Sequence, residues 1–181
     1  MSRNSNKNDG LIALDDALTV RMKVTERLKT LDKQSRKKLD ALEEALAKAK
    51  TDEEIQKAKE ALWEEQFNYR QIDDERHRVN IVGASLTGSL REANTIFPDT
   101  KLPSVVGEVT ERRLLLDKAM GACNVLQDEL DIIANSVYAD KNKFTPLVLE
   151  IETLFRKIKS IRQADNRFLP KEAKEDRESK V

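Results

Sequence analysis

The residue types best suited to catalysis or metal binding in this sequence are one histidine, one cysteine and a few closely spaced carboxylates. Asp74 and His77 have the i, i+3 spacing with which a carboxylate and a histidine bind iron inside four-helix bundles. Such a site needs a second carboxylate–histidine pair, and His77 is the only histidine among the 181 residues. We therefore interpret His77 as an exposed residue on a helix face, and we expect no bound metal and no other cofactor.

Cys123 is the only cysteine, and a thiol acts as a nucleophile only where a neighbouring base or positive charge favours the thiolate. In the predicted antiparallel pairing of the second and third helices, His77 lies about two helical turns away from Cys123 along the bundle. We therefore predict that Cys123 is a buried apolar residue and not a nucleophile. A single cysteine also cannot form an intrachain disulfide, which is typical of a cytoplasmic protein.

Residues 80–90 read NIVGASLTGSL and carry no charged side chain, although 36% of the chain is charged. A phosphate-binding loop would need a lysine and a preceding strand, and the run has neither. It is also shorter than the roughly 20 apolar residues of a membrane-spanning helix. The run therefore indicates a helix segment enclosed on several sides, which is either a close helix crossing, with Gly83 facing Ala119, or a kink in the longest helix.

Composition and periodicity together define the fold class. Five glycines, four prolines and 4% aromatic residues, with many Ala, Leu, Glu and Lys residues, are typical of helices and not of sheets. Apolar residues recur at alternating three- and four-residue spacings in four segments, which is the heptad pattern of packed helices. The sequence therefore predicts an all-α protein, an elongated antiparallel bundle of four helices at about 11–50, 52–97, 104–139 and 146–168.

Capping residues mark the expected start of each helix. The signals are Asp9 for the first helix, Thr51 with Glu54 for the second, Ser104 for the third, and Thr145 with Pro146 for the fourth. Residues 10–168 are predicted to form one helical domain. The flanking segments, a disordered N-terminus at 1–9 and a disordered charged tail at 169–181, have too few apolar residues to fold.

Short connections make successive helices antiparallel, so the centre of each turn decides which residues face each other. Turn centres near Thr51, Lys101 and Asn142 leave residues 39–62 beyond the ends of the third and fourth helices. We therefore predict that the first two helices form a long coiled-coil hairpin with a projecting alanine-rich tip. The same register places four residues in one layer: Met22, Gly83, Ala119 and Asp165.

Four charged residues interrupt the apolar seams, and a buried charge without a partner costs several kcal/mol. We therefore expect each of them to pair, and Arg76 has Asp32 or Asp73 within reach. Polar seam residues often fix the register of a bundle at some cost in stability, and we favour that role over a functional site. The four residues are Glu65, Arg76, Arg112 and Asp165.

Two surfaces are candidates for binding a partner. Trp63 and Phe67 are four residues apart near the base of the hairpin tip, and we favour core packing for them because large aromatic side chains are usually buried. The alternative is a partner contact, for which the candidate residues are Trp63, Phe67, Leu46 and Ile55. The second surface consists of basic residues that could contact phosphate groups or anionic lipid. Acidic residues lie beside them in the sequence, so we favour an ordinary solvent-exposed helix face. These residues are Arg36, Lys37, Lys38, Arg156, Lys159 and Arg162.

No arrangement of residues matches a catalytic site, whereas a sustained heptad seam is suited to helical partners. We therefore expect a non-enzymatic interaction or scaffold protein that forms homo-oligomers, or binds a protein partner, through its helix faces or the hairpin tip. The alternative is an accessory protein that binds nucleic acid or an anionic membrane surface through the basic faces of helices one and four. The sequence predicts no transmembrane segment.

Overall fold

A computed structural model of the chain describes residues 3–136 and 139–169, with side chains from Asp9 onward. These residues form four long helices and a short 3₁₀ turn, and the two described ranges contain no β-strand. The all-α prediction is therefore confirmed. The helices are α1 (Arg3–Lys48), α2 (Asp52–Ala93), α3 (Val105–Ala134) and α4 (Lys141–Ala164), followed by the 3₁₀ turn Asp165–Phe168.

The four helices pack as a closed square in which each helix contacts two neighbours. α1 and α3 lie on one diagonal, and each of them packs against both α2 and α4. Apolar residues at alternating three- and four-residue spacings fill the space between the helices, as the heptad pattern predicts. The largest fully buried apolar side chains are Leu86, Leu90, Leu116, Leu126, Leu130, Ile133, Ile151, Leu154 and Ile158.

The capping box at the start of α2 is present as predicted. Thr51 Oγ1 accepts a hydrogen bond from the Glu54 N–H at 3.2 Å, and Glu54 Oε2 accepts one from the Thr51 N–H at 3.2 Å. The assignment of Asp9 as an N-cap is wrong, whereas Ser104 is the N-cap residue of α3 as predicted. Asp9 lies inside α1, which begins at Arg3, within the segment for which disorder was predicted. The Ser104 side chain makes no capping bond to α3.

A contact with the end of α2 lies where α1 passes through Gly10. The Asn94 side chain donates a hydrogen bond to the Gly10 carbonyl at 2.9 Å. A Cβ on Gly10 would lie too close to Asn94 Oδ1, so a larger residue there would displace the Asn94 side chain and weaken this contact. The contact joins the start of α1 to the end of α2.

The start of α4 differs from the prediction. Asp140 is the N-cap and accepts a hydrogen bond from the Asn142 N–H at 3.1 Å. Thr145 therefore does not cap the helix, and Pro146 lies inside it. The earlier start places Phe144 on the buried face of α4. Burying this ring offsets the backbone hydrogen bond that the proline cannot donate.

α3 and α4 are seven residues out of the predicted register. Arg112 Nε lies 3.0 Å from Asp165 Oδ2, whereas the prediction placed Ala119 opposite Asp165. The connection between the helices lies earlier in the chain than predicted because α4 starts at Lys141. The predicted four-residue layer is therefore wrong, and its α1 member, Met22, is 73% exposed.

The charge-free run at 80–90 lies within α2. Thr87 Oγ1 donates to the Gly83 carbonyl at 3.1 Å, the expected way for a hydroxyl in a helix to find an acceptor. A Cβ on Gly83 would lie 3.5 Å from the Arg21 side chain of α1. Gly83 therefore faces α1, and the predicted close crossing with Ala119 of α3 is wrong.

One end of the bundle is closed by a small apolar cluster. Leu169 is buried there against Val105 and Val109 of α3, although the predicted disordered tail began at this residue. The rest of that predicted tail, residues 170–181, lies outside the described residues, as do residues 1–2 of the predicted disordered N-terminus.

The opposite end of the bundle carries a projection formed by α1 and α2. Ser35 on α1 and Glu65 on α2 are buried. Among residues 36–64, all of which the structure describes, none is buried. We call residues 36–64 the arm. It corresponds to the overhang predicted at 39–62.

Candidate interaction surface

A polar cluster joins the arm to the bundle. Asp32 of α1 accepts hydrogen bonds from the Tyr69 hydroxyl at 2.9 Å and from Arg76 Nη1 at 2.7 Å, both on α2. Arg36 Nε lies 3.1 Å from the same carboxylate, and its guanidinium lies 5.9 Å from the centre of the Tyr69 ring. Arg76 also lies 3.1 Å from Asp73. Its predicted pairing is therefore confirmed with both carboxylates.

The electrostatics of this cluster favour a charged Asp32. Burial would raise the pKa of Asp32, but hydrogen bonds from Tyr69 and Arg36 and the positive charge of Arg76 outweigh burial and lower the pKa. Burial raises the pKa of Tyr69, and its hydrogen bond to Asp32 raises it further. At neutral pH Tyr69 is therefore a hydroxyl donor to a carboxylate.

Glu65 extends the cluster to the point where the arm begins. Its side chain occupies a seam position and only 3% of the residue is exposed. Lys38 Nζ lies 2.7 Å from Glu65 Oε2 across the two helices. The cluster therefore links α1 to α2 at two successive levels, which gives the arm a fixed direction relative to the bundle.

The arm carries an open groove between its two helices. Its floor is made of small side chains and its rim carries both signs of charge. The lining residues are Ala45, Lys48, Ala49, Glu54, Lys57, Ala58 and Ala61, around a volume of about 370 Å³. Leu46 and Ile55, two of the candidate contact residues, are half-buried in the seam near the tip.

The other two candidate contact residues form a separate surface at the base of the arm. The rings of Trp63 and Phe67 stack with their centroids 6.1 Å apart. Trp63 is 70% exposed and Phe67 52%, so the prediction of core packing is wrong. The seam position is taken by Leu62, and Trp63 points about 100° away from it around the helix axis.

The residues considered for catalysis do not form a site. His77 is exposed, and Cys123 is fully buried, where desolvation raises the pKa of its thiol to about 12. Cys123 is therefore a protonated, buried side chain at neutral pH, in agreement with its predicted burial. Within the described ranges no three His, Cys, Asp or Glu side chains are placed to hold a metal ion.

A carboxylate pair between α2 and α3 was not found from the sequence. The carboxyl groups of Glu75 and Glu129 are neighbours that affect each other's pKa, and Arg78 Nε donates to both, at 3.1 Å and 3.3 Å. The Glu75 carboxylate raises the pKa of Glu129 by accepting a hydrogen bond from its protonated form, and burial and the negative charge of Glu75 raise it further. Burial would raise the pKa of Glu75, but its bonds to Glu129 and Arg78 lower it.

The carboxylate pair borders an open cleft of about 510 Å³ between α2 and α3. Asn68, Gln71 and Glu75 line the α2 side of this cleft. These residues follow one another at three- and four-residue spacings, so they identify the stripe of α2 that faces α3.

The buried ion pair between α3 and the 3₁₀ turn also holds the end of α2. Arg112 and Asp165 are 4% and 0% exposed. Arg112 Nη1 donates to the carbonyls of Ala93 at 3.1 Å and Ile96 at 2.8 Å, at the end of α2, where carbonyls lack the i+4 partner of a continuing helix. Burial raises the pKa of Asp165, an effect that the charge of Arg112 only partly offsets. The structure thus provides a partner for each charged seam residue.

Most of the candidate basic residues already pair with carboxylates of the chain, which weakens their attraction for phosphate groups. Lys37 and Lys159 are exposed. The paired residues are Arg36 with Asp32, Lys38 with Glu65, Arg156 with Glu152, and Arg162 with Asp117.

The two basic clusters are also far apart. Lys157 of α4 lies 2.5 Å from Asp16 of α1, so Arg156 is level with the early part of α1. Arg36 follows Asp16 by 20 residues, or about 30 Å at 1.5 Å per residue. Helices one and four therefore do not present one continuous basic face.

Comparison with known proteins finds no protein-family model that matches the chain and no curated protein that is similar to it in sequence. In the described ranges, no helix is both long enough and apolar enough to cross a membrane. Function is therefore inferred from the arm, its aromatic pair and the contacts described above.

Proposed function

We propose that the protein is a non-enzymatic helical interaction protein that binds a protein partner through the surface of its arm. The observation that carries this proposal is the exposed, stacked pair Trp63 and Phe67. Tryptophan is enriched among the residues that dominate protein–protein binding energy. Two stacked rings in water, beside a rigid polar cluster, form a preorganised apolar contact.

The exposed area of the two rings sets the size of the effect. With about 250 Å² for Trp63 and about 200 Å² for Phe67 when free, exposures of 70% and 52% leave roughly 280 Å² for a partner to cover. At about 25 cal/mol per Å² this burial contributes up to about 7 kcal/mol. That amount can anchor a complex, but association also costs several kcal/mol, so the partner must make further contacts around the rings.

A cytoplasmic location and a scaffold role are part of the same proposal. Cys123 is a free, buried thiol, which is typical of proteins in reducing compartments. The bundle provides a rigid body, and the polar cluster at Asp32 fixes the arm that projects from it. Such an arrangement presents a contact surface at a defined distance from the bundle.

The proposal is tested by affinity recovery with a matched control. Trp63→Ala with Phe67→Ala removes the aromatic pair, whereas Ile81→Ala removes an apolar side chain of α2 that is 57% exposed. Both variants are expected to unfold at the temperature of the original chain because the changed residues are exposed. We expect the double variant to lose the recovered protein partner and Ile81→Ala to keep it.

Two results would overturn this proposal. The first is recovery of the same partners by the original chain and the double variant. The second is binding to a labelled DNA duplex or to anionic vesicles that is strong at low salt and lost at higher salt, because contacts with phosphate weaken steeply as salt is added. The second result would favour the nucleic-acid or membrane alternative through the basic residues.

A further inference from the structure

The apolar seam of α1 and α2 continues into the arm but loses its cover there. Along the bundle, seam residues such as Leu28 and Ile72 are at most 5% exposed. In the arm the corresponding residues, Leu42, Leu46 and Ile55, are only half-buried. The difference arises because four helices enclose the seam in the bundle and only two enclose it in the arm.

The open groove of the arm lies on the side of α2 that packs against α3 within the bundle. The stripe of α2 that lines the cleft with α3 includes Asn68 and Gln71. Continued at three- and four-residue spacings towards the tip, the same stripe passes through Ala61, Lys57 and Glu54. These three residues line the arm groove. The groove is therefore the continuation of the established α2–α3 interface.

We propose that this groove binds the arm of a second copy of the chain, with the two arms antiparallel about a two-fold axis. The two hairpins then form a short four-helix bundle in the centre of an elongated dimer. In the bundle, α3 and α4 cover the seam of α1 and α2. In the dimer, the two helices of the partner's arm take the corresponding place over the arm groove. Alanines on both sides permit close helix approach.

The charges of the arm are complementary to themselves in this arrangement. A two-fold axis through the middle of the arm places the base of one arm beside the tip of the other. Lys37 is exposed at the base, and Asp52 and Glu53 are exposed at the tip. None of the three lines the groove, so these opposite charges lie near each other twice at the rim of the dimer contact, where they favour antiparallel over tip-to-tip pairing.

The size of the groove face predicts a reversible dimer. Each helix of the arm contributes about 13 residues, or about 20 Å at 1.5 Å per residue, and two adjacent helices are about 20 Å wide. The resulting face of about 400 Å² per partner is about half of the roughly 800 Å² of a standard interface, which is the size range of weak, transient contacts. We therefore expect dimer formation to depend on protein concentration.

Self-association through the groove rests on the proposed interaction role of the arm, but the two are separable. Ala61 precedes Leu62 in the sequence and Trp63 follows it, so the groove and the aromatic pair lie on opposite flanks of this seam residue, about 100° to either side. A variant without Trp63 and Phe67 is expected to dimerise like the original chain. Failure to dimerise would leave the aromatic surface, and its partner test, unaffected.

The test is light scattering of the purified full chain across about 1 μM to about 1 mM, a range that covers weak to standard affinities. Ala45 and Ala47 are both exposed and flank Leu46 on opposite sides, with only Ala45 lining the groove. We expect the original chain and Ala47→Arg to increase in mass from 20.7 kDa towards twice that value. Ala45→Arg is expected to remain at 20.7 kDa over the same range.

A monomeric original chain, or an Ala45→Arg variant that dimerises like Ala47→Arg, would overturn the proposal. The proposal would also be overturned if the original chain is monomeric and Ala45→Arg abolishes binding of a different protein, because the groove would then bind that protein and not a second copy of the chain. Cysteine cross-linking tests the geometry. Ala45→Cys lies near the proposed two-fold axis and is expected to form an interchain disulfide on oxidation, whereas Ala47→Cys is not. Equal cross-linking of both variants would contradict the antiparallel arrangement.

Discussion

Removal of Arg112 is expected to be far more destabilising than removal of its partner Asp165. Asp165 Oδ2 has Arg112 as its donor, and Asp165 Oδ1 has no hydrogen-bond partner. Arg112→Met therefore leaves a fully buried carboxylate without its hydrogen-bond donor, and the carbonyls of Ala93 and Ile96 lose the bonds that Arg112 donates. Breaking a buried pair in this way costs about 3–5 kcal/mol.

Asp165→Asn is the matched variant. It keeps the shape of the side chain, and Arg112 retains its bonds to the two carbonyls at the end of α2. The expected cost is about 1–3 kcal/mol, the range for a weakened hydrogen bond to a charged group. The measurement is the free energy of unfolding in urea for both variants at pH 7. Equal costs for Arg112→Met and Asp165→Asn would refute the asymmetry.

The pH dependence provides a second check of the same argument. The pKa of Asp165 is raised in the folded chain above its ordinary value of 3.8, and the loss of Arg112 raises it further. A raised folded pKa gives a stability contribution that is present below pH 3.8 and is lost as the pH rises through the folded value. The cost of Arg112→Met should therefore shrink as the pH falls from 7 towards 4. A constant cost across this range would contradict the burial of an ionised Asp165.

Three further changes have defined outcomes. Gly88→Ala should raise the free energy of unfolding by up to about 1 kcal/mol, because a Cβ there meets no neighbouring atom and glycine is unfavourable inside a helix; a loss of stability in urea would show a hidden contact. Lys38→Met should cost about 1–3 kcal/mol by leaving the buried Glu65 carboxylate without its charged partner, and no change in the urea midpoint would contradict that pairing. Glu129→Gln should stabilise the chain at pH 7 by removing repulsion with Glu75, and the gain should vanish as the pH falls to about 4.5, since the wild-type Glu129 pKa is raised in the folded chain and protonation then removes the same repulsion; a gain that persists in acid would contradict repulsion between these two carboxylates.

The heptad pattern was sufficient to predict the fold class and the arm. Apolar spacing is a local property, and the capping box at Thr51 and Glu54 fixed the turn between α1 and α2. With that turn correctly located, the pairing of Arg76 with Asp32 and the projection of the arm followed. The fold was therefore predictable where a strong local signal determined the register.

Register errors account for most of what was missed. The start of α4 was placed at Thr145 because proline is favoured at the first helical position, but burial of Phe144 extends the helix back to Lys141. Competition between a local cap and a tertiary contact cannot be resolved from spacing alone. The resulting seven-residue shift hid the pairing of Arg112 with Asp165.

The exposure of the aromatic pair was predicted wrongly for a different reason. Trp63 and Phe67 were assigned to the core from their residue type, although Trp63 follows the seam residue Leu62 and so lies outside the heptad positions. Strict use of the heptad would have predicted their exposure. The Glu75–Glu129 pair lies beside the seams of two helices, and only an accurate α2–α3 register would have brought these residues together.

The central claim is that the arm is a projecting contact surface and not part of the folded core. Its most direct test is thermal unfolding of a chain in which residues 42–58 are replaced by a short Gly-Ser turn. None of the replaced residues is buried, so the shortened chain should remain helical and unfold cooperatively, with a midpoint close to that of the original chain. Loss of cooperative unfolding would show that the arm is required for the core and would contradict the account.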